Sequence, residues 1–167
     1  AASGGAEQPD APVAPTVGTL LAMCSQTEAE ERERFKELSI LEQQSGTERD
    51  KVPAAAPERV VKRYARPSAG APPPVASDLR PIGVLRDTVD YLLRLWIERA
   101  DLPPLVRYNF ISDRLRSVQL DMTVQHLVDA PLLVRIVRFH AMMELEFAPL
   151  AGVRDSGYSA HQNRSLL

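Results

Sequence analysis

The stretch PIGVLRDTVDYLLRLWIERADLPPLVRYNFISDRLRSVQL, residues 81–120, decides the fold of this chain. Its apolar residues recur every three or four positions, which is the period of an amphipathic helix and not of a strand. Pro103 and Pro104 interrupt the pattern, and Pro104 can begin a second helix because proline is tolerated in a first turn. The stretch therefore predicts two consecutive helices, which end near Ala100 and Leu120. The apolar stripe of the first is Ile82, Leu85, Val89, Leu92, Leu93, Trp96 and Ile97.

A third helix of the same period is predicted after a short turn around Thr123. Pro131 opens it, and LLVRIVRFHAMMELEF, residues 132–147, continues it. Its apolar stripe is Leu133, Ile136, Val137, His140, Met143 and Phe147. The stripes of the three helices are broad enough to bury more surface than this chain supplies, so we expect a further neighbour against them.

Two shorter helices are predicted nearer the N-terminus. Thr27 and Glu30 fit a capping box, and Gly46 is placed to terminate the helix that follows, at 27–44. Pro57 can open a helix over 57–66 that Pro67 ends. No segment alternates with the period of a strand, so we predict an all-α chain of antiparallel helical hairpins.

Prolines divide the chain into an arm, a helical domain and a linker. Residues 1–17 contain three prolines and few large apolar side chains, which predicts a flexible arm. Residues 18–167 are predicted to form the domain. Within it, residues 67–77 carry Pro67, Pro72, Pro73 and Pro74, which favour an extended linker.

Composition excludes several classes of protein. The 167 residues carry 20 Lys and Arg against 22 Asp and Glu, a net charge of -2, which disfavours a dedicated nucleic-acid-coating protein. One cysteine excludes a disulfide framework and any zinc site built from several thiolates. No apolar run approaches the length of about 18 residues that a membrane-spanning helix needs.

The sequence contains little that resembles catalytic chemistry. It has no G-x-S-x-G elbow and no glycine-rich phosphate loop, and Cys24 lies beside the predicted arm. His140 and Glu144 are four residues apart and would share a helix face that can ligate a metal. A third ligand is lacking, so a histidine at the edge of the core beside a solvated glutamate is the favoured interpretation. We expect no enzyme, no cofactor, no metal and no small-molecule substrate.

Charged residues on the helices are better explained as ion pairs than as a ligand site. Asp113 and Arg116 are three apart and predicted to pair, while Arg114 points elsewhere. Arg135 and Arg138 could form ion pairs between helices, because the guanidinium fork suits a carboxylate. A weak, salt-sensitive nucleic-acid contact through the basic segment stays open as an alternative. Its candidate residues are Arg59, Lys62, Arg63 and Arg66.

Four blocks of this sequence resemble motifs of the SAC-three/GANP family, in the family's order. VKRYARPSAG (61–70) resembles V-K-x-Y-x-R-P-A-A, and DLRPIGVLRDTVDYLL (78–93) resembles D-L-R-P-x-x-V-L-x-x-T-x-D-Y-L-L. YNFISDRLRSVQLDMTVQHL (108–127) is similar to Y-x-F-x-x-D-R-x-R-x-x-x-x-D-x-T-x-Q, and RIVRFHAM (135–142) matches R-x-x-R-F-H. The entry motif G-T-C-x-x-M-C-P-E is only partly kept, since Met23 and Cys24 match but Leu20 and Ser25 do not.

The resemblance covers residues 18 to about 167 and implies a fold and a function. It implies the helical front half of a PCI-like domain whose further repeats and winged helix are not in this sequence, either in a fragment or in a short relative. It implies a scaffold of the nuclear-pore-associated transcription-export complex, which binds a PCI-fold protein and a small acidic subunit and promotes mRNA export. A centrosomal or spindle scaffold of the same family is the alternative.

The motif residues are then structural. Pro81, Tyr91 and Trp96 would hold the helices together, and Asp113, Arg114, Arg116 and Arg138 would fix their register. The full set implied by the resemblance is Lys62, Tyr64, Arg66, Pro67, Asp78, Arg80, Pro81, Asp90, Tyr91, Asp113, Arg114, Arg116, Asp121, Arg138, Phe139 and His140.

Overall fold

A computed structural model describes residues 16–70, 72–150 and 157–166, and in these residues the chain is helical. Five α-helices and two single-turn 3₁₀ helices, Ala76–Asp78 and Ala148–Leu150, make up the described structure, in which no strand occurs. The prediction of an all-α fold is confirmed. Residues 1–15 of the predicted arm lie outside the described residues. The helices are α1 Gln26–Arg34, α2 Ile82–Glu98, α3 Pro104–Val124, α4 Ala130–Glu146 and α5 Ala160–Arg164.

The three long helices pack as two antiparallel hairpins. The start of α3 meets the end of α2, where the Arg107 guanidinium donates to the Trp96 carbonyl. The start of α3 also meets the end of α4, where the Tyr108 and Phe147 rings lie 5.2 Å apart. Consequently α2 and α4 run parallel, and Trp96 of α2 contacts Phe139 of α4 edge-on at 5.9 Å between ring centroids. The predicted hairpin arrangement is confirmed for these helices.

The core lies between α2, α3 and α4, and the predicted stripes supply most of it. Its largest fully buried apolar side chains are Leu41, Leu79, Leu85, Leu92, Ile111, Leu115, Leu132, Ile136 and Met143. The structure ends α2, and begins α3 and α4, within two residues of the predicted positions. Proline residues and a side-chain cap fix these boundaries. At α4 the Asp129 carboxylate accepts from the Leu132 amide, and Pro131 occupies the first turn. No helix in the described ranges is long and apolar enough to cross a membrane.

The helix predicted over 27–44 is wrong beyond its first half. The structure begins α1 at Gln26, capped by the Ser25 hydroxyl rather than by Thr27, and ends it at Arg34. Lys36 then takes a left-handed backbone with φ 59°, which turns the chain away. This turn places Leu41 and Glu42, which lie in the loop after α1, in the interior of the protein, where each is fully buried.

The helix predicted over 57–66 is also wrong. A turn covers residues 57–59, and the chain then runs extended. Four successive amides in this extended segment bond to other parts of the molecule instead of to a preceding turn. Val61 donates to Glu42 Oε1 at 3.2 Å, Lys62 to the Met23 carbonyl at 3.0 Å, Arg63 to Glu28 Oε1 at 2.9 Å and Tyr64 to Asp113 Oδ2 at 3.3 Å. Tertiary acceptors therefore replace the helical ladder.

Candidate functional site

Asp121 on α3 is the centre of a buried ion-pair network, which we call the Asp121 network. Its Oδ2 accepts from Arg80 Nε at 2.7 Å, and its Oδ1 accepts from Lys62 Nζ at 2.8 Å. Arg80 also donates through Nη2 to Ser117 Oγ at 2.8 Å and is fully buried. A buried carboxylate between two cations satisfies the charges that the fold removes from water.

The Asp121 network ties three distant segments to the end of α3. Lys62 Nζ also donates to the Asp78 carbonyl at 2.5 Å, which joins the extended segment to the residues before α2. Gln125 donates through Nε2 to the Arg80 carbonyl at 2.9 Å and accepts from the Gly18 amide at 2.7 Å. The network is a structural junction, with its hydrogen-bonding capacity used inside the protein.

Glu42 is the centre of a second buried network, which we call the Glu42 network. It is fully buried, and it accepts from Arg32 Nη2 at 2.9 Å and from Arg114 Nη2 at 3.1 Å. The Val61 amide donates to the same carboxylate. The network thereby joins α1, the loop after it, the extended segment and α3.

Tyr64 links the Glu42 network to the surface of α3. The Arg116 guanidinium lies 4.0 Å from the centroid of the Tyr64 ring, a cation–π contact. Asp113 accepts from the Tyr64 amide and pairs with Arg114. The predicted Asp113–Arg116 pair is therefore wrong, because Arg114 turns toward the carboxylates and Arg116 toward the tyrosine ring.

His140 lies inside the molecule, where it holds α5 against α4. Its Nδ1 is 2.9 Å from Asn163 Oδ1, while Asn163 Nδ2 donates to the His140 carbonyl at 2.9 Å. The Tyr108 hydroxyl donates to the same Asn163 oxygen at 3.1 Å. The histidine is fully buried rather than at the core edge, and burial lowers its pKa.

Glu144 accepts hydrogen bonds from three neighbouring side chains. It accepts from the Tyr158 hydroxyl at 2.8 Å, from Asn163 Nδ2 at 3.1 Å and from Arg164 Nε at 2.7 Å, and these donors lower its pKa. No group of three or more His, Cys, Asp or Glu side chains in the described ranges is arranged so that it could hold a metal ion. The pair His140 and Glu144 therefore gains no third ligand there.

The other residues implied by the family motifs occupy helix ends and helix contacts. Pro81 caps the start of α2, and Asp90 forms an ion pair with Arg135 of α4. Tyr91 is half-buried, and burial raises the pKa of its phenol to about 12. Arg138 is exposed and forms no ion pair with a carboxylate of the described residues. No ion pair among these residues therefore supports its predicted role in fixing the register of the helices.

The four candidate nucleic-acid residues are mostly engaged within the protein. Arg59 donates to Ser45 Oγ at 3.2 Å, Lys62 belongs to the Asp121 network, and Arg63 pairs with Glu37 at 2.6 Å. Arg66 has no ion pair within the described part of the chain. It lines, with Pro67, an open groove of about 1090 Å³ between α1 and the proline-rich linker. The nucleic-acid contact stays a prediction.

Cys24 is a free thiol that is buried in a small cluster with Leu38 and Val60. Burial raises the pKa of its thiol to about 12, so the thiolate that a nucleophile requires is scarce at neutral pH.

Sequence reasoning missed the polar residues that complete the networks. Glu42, Arg32, Ser117, Gln125 and Asn163 are all buried. The sequence pattern does not distinguish Glu42 and Arg32 from exposed charges, because the burial of a charged residue is not visible in its identity. Only Gln125 carried a local signal, because it matches the final glutamine of the motif block that begins at Tyr108.

Comparison with known proteins agrees with this architecture. The model of the SAC3/GANP family matches residues 23–167. The chain is 32% identical over 153 residues to SAC3 family protein B of Arabidopsis thaliana, covering 88% of this chain and 8% of that protein. It is 35% identical over 130 residues to SAC3 family protein 1 of Schizosaccharomyces pombe, covering 75% of this chain and 12% of the relative. The chain belongs to the SAC3/GANP family.

Proposed function

We propose that this chain is part of a non-enzymatic helical scaffold of a nuclear mRNA-export complex. Its partners would be a PCI-fold protein and a small acidic subunit, and its location the nucleus, in association with the nuclear pore. The family match over residues 23–167 is the observation that carries the proposal. The chain spans about a tenth of the length of these relatives, so the activity of a whole protein is inferred here from one segment.

The arrangement of charged groups supports a scaffold over an enzyme. Five buried charged residues, Arg32, Glu42, Arg80, Arg114 and Asp121, are held in ion pairs that join segments in the Asp121 and Glu42 networks. Apolar side chains are exposed on the outside of the bundle, with Leu145 78% and Ile97 75% exposed. Rigid helices with apolar residues on the outer face are typical of protein-binding surfaces.

The proposal is tested by affinity purification of the tagged full-length protein from its own cells, with the bound proteins identified by mass spectrometry. Recovery of PCI-fold subunits, a small acidic protein and pore components is the expected result. Recovery of centrosomal proteins alone would replace the export role with the alternative function of the same family.

A direct RNA contact is a second candidate, favoured by the unpaired Arg66 on the groove beside the linker. We expect Arg66→Glu to weaken binding of single-stranded RNA by the purified protein, and the remaining binding to fall steeply with salt. Unchanged binding in the variant would remove this candidate.

A further inference from the structure

Asn163 is the buried anchor that attaches α5 to the rest of the bundle. Its side chain is fully buried and bonds to two other helices. Its Oδ1 accepts from the Tyr108 hydroxyl of α3 at 3.1 Å and lies 2.9 Å from His140 Nδ1 of α4. Its Nδ2 donates to the His140 carbonyl at 2.9 Å and to Glu144 Oε2 at 3.1 Å. Both hydrogens and the oxygen of this amide are therefore used to hold α5.

These hydrogen bonds fix the tautomer of His140. The His140 carbonyl and the ionised Glu144 carboxylate can only accept, so the amide nitrogen of Asn163 must face them. The Asn163 oxygen consequently faces the imidazole, and Nδ1 of the neutral ring must carry the hydrogen. The Nε2 atom of His140 is then an unprotonated acceptor. This atom is buried, and it has no hydrogen-bond partner among the described residues.

A proton added to His140 would bind at Nε2, where no acceptor receives it. The ring is fully buried, and removing an imidazolium from water without a partner is costly. The docked arrangement therefore favours the neutral ring. When residues 157–166 leave α4, the Nδ1 edge of the ring loses Asn163, and water can solvate the positive charge there. Acid consequently favours the detached state of this segment.

The other titratable groups close to this site do not change their charge at mildly acidic pH. Burial raises the pKa of Tyr108 and of Tyr158, so both phenols stay neutral in acid. Hydrogen bonds from three side chains, the first of them Tyr158, lower the pKa of Glu144. Its carboxylate therefore stays ionised until the pH is more acidic, and it pairs with Arg164 at 2.6 Å.

Charged residues of α3 and α5 lie near the docked segment but outside the buried anchor. Asp113 and Arg116 of α3 line a cavity of about 240 Å³ beside α5. Asp113 pairs with Arg114, and Arg116 lies against a tyrosine ring of the extended segment. His161 of α5 is exposed to water. Among the described residues of this site, His140 is therefore the buried group whose charge can change at mildly acidic pH.

The docked segment lies at the edge of the molecule, where it can open without the bundle. Its apolar contact is made by Tyr158, whose ring centroid lies 5.5 Å from that of Tyr108 and 5.0 Å from that of Phe147. Its ion pair with Glu144 is weakened by water, since the Arg164 side chain is 66% exposed. Peripheral elements with few buried contacts open at a lower free energy than the whole domain.

We propose that residues 157–166 are a pH-sensitive latch, which docks on α3 and α4 while His140 is neutral and detaches when the ring is protonated. Detachment removes Asn163 from the ring. It also exposes the aromatic rings of Tyr108 and Phe147, at the start of α3 and just after the end of α4. The inference does not depend on the proposed function, because it concerns how one segment of the fold is held.

The latch is tested by hydrogen exchange of the whole chain, followed by mass spectrometry at about pH 7.5 and 5.5. The Asn163 and Ser165 amides donate inside α5, a helix too short to be stable alone, so they exchange when the segment detaches. After correction for intrinsic exchange rates, their protection is expected to be lower than that of the α3 amides at both pH values. It is expected to fall by up to about tenfold at the lower pH, because one imidazole is protonated in the detached state.

Two variants identify the histidine that is responsible. His140→Asn keeps an N–H donor at the level of Nδ1 and cannot be charged, so it is expected to remove the change with pH. The matched control His161→Asn removes an exposed histidine of α5 and is expected to keep that change. Persistence of the change in His140→Asn, or its loss in His161→Asn, would overturn the proposal. Equal protection of the α5 and α3 amides would also overturn it, since the segment would then open only with the whole molecule.

A variant at a fully buried position can fail to fold, so the wild-type ring is also titrated by NMR of the chain with labelled histidine. We expect the neutral His140 ring to carry its hydrogen on Nδ1 and to be protonated with a midpoint below the ordinary 6.5. Protection of α5 is expected to fall only between pH 6.5 and that midpoint. A hydrogen on Nε2 of the neutral ring, a midpoint at or above 6.5, or a loss of protection that continues below the midpoint would each contradict the latch.

Discussion

Asp121 shows at the scale of single residues how much a buried charge matters here. Arg80 is fully buried, and Lys62 is mostly shielded from water, so both cations depend on this carboxylate. We expect Asp121→Asn to lower the free energy of unfolding by about 3 to 5 kcal/mol, because it leaves buried cations without a counter-charge. Urea denaturation followed by circular dichroism measures this loss.

The matched control for that change is Asp87→Asn, which removes the same charge at an exposed position of α2. It is expected to alter stability by no more than about 0.5 kcal/mol. Similar losses in the two variants would show that the Asp121 network contributes little to the fold.

His140 makes stability depend on pH. Burial lowers its pKa below the ordinary 6.5, so the folded protein prefers the neutral ring. The contribution of His140 to the free energy of unfolding is complete above pH 6.5 and is lost as the pH falls. The reason is that the unfolded chain then binds a proton at this histidine, whereas the folded chain does not. The slope can reach about 1.4 kcal/mol per pH unit.

Unfolding at a series of pH values between about 6.5 and 5 checks this prediction. Glu144 and Asp129 have lowered pKa values, so their contribution is lost only at more acidic pH. We expect His140→Gln to flatten the slope in this window even if it lowers stability at every pH. An unchanged slope would mean that another group binds the proton.

At the scale of elements, two segments with helical patterns are not helical because their backbones are needed elsewhere. Residues 61–64 give their amides to tertiary acceptors, among them the carboxylates of Glu42 and Asp113. The chain after Arg34 leaves the helix so that Leu41 and Glu42 reach α3. Local periodicity distinguishes a helix from a strand. It does not show that residues distant in the sequence will supply hydrogen-bond acceptors that compete with the helix.

A substitution at Lys36 can distinguish the observed turn after α1 from the continuous helix predicted over 27–44. Its φ of 59° strains a residue with a side chain, so Lys36→Gly is expected to stabilise the protein by about 1 kcal/mol. Had the helix continued through 44, glycine would cost a similar amount. Thermal unfolding gives the sign, and Glu31→Gly inside α1 is the control that should destabilise.

At the scale of the whole molecule, residues 18–24 act as a strap that closes the end of the bundle. Gly18 donates to Gln125, Thr19 to the Ala76 carbonyl and Leu20 to the Leu79 carbonyl. A Cβ at Gly18 would lie 2.3 Å from the Leu79 oxygen, a backbone atom that cannot give way cheaply. The strap therefore requires glycine at this position because of a close approach.

We expect Gly18→Ala to reduce the free energy of unfolding by about 1 to 3 kcal/mol, since the strap must shift. Gly83→Ala is the control, because nothing lies within 4 Å of its Cβ and alanine suits a helix. That variant is expected to gain up to about 1 kcal/mol. Equal effects in chemical denaturation would contradict the close approach at Gly18.

The all-α class, the three long helices and the family could be predicted from the sequence. Prolines at 81, 104 and 131 mark helix starts, and the apolar period of 3.6 residues defines the buried faces of α2 and α4. The four motif blocks carried the family. These signals depend on residues that are close together in the chain, so the amino-acid sequence alone is enough to identify them.

The tertiary structure alone decided which charges are buried and which stay in water. Glu42 and Glu37 look alike in the sequence, yet one is the fully buried centre of a network and the other an exposed partner of Arg63. Likewise Arg80 is fully buried and pairs with Asp121, while Arg94 and Arg138 are exposed to water. The reason is physical: the free energy of a charge depends on its distance from counter-charges and water, and folding sets both distances.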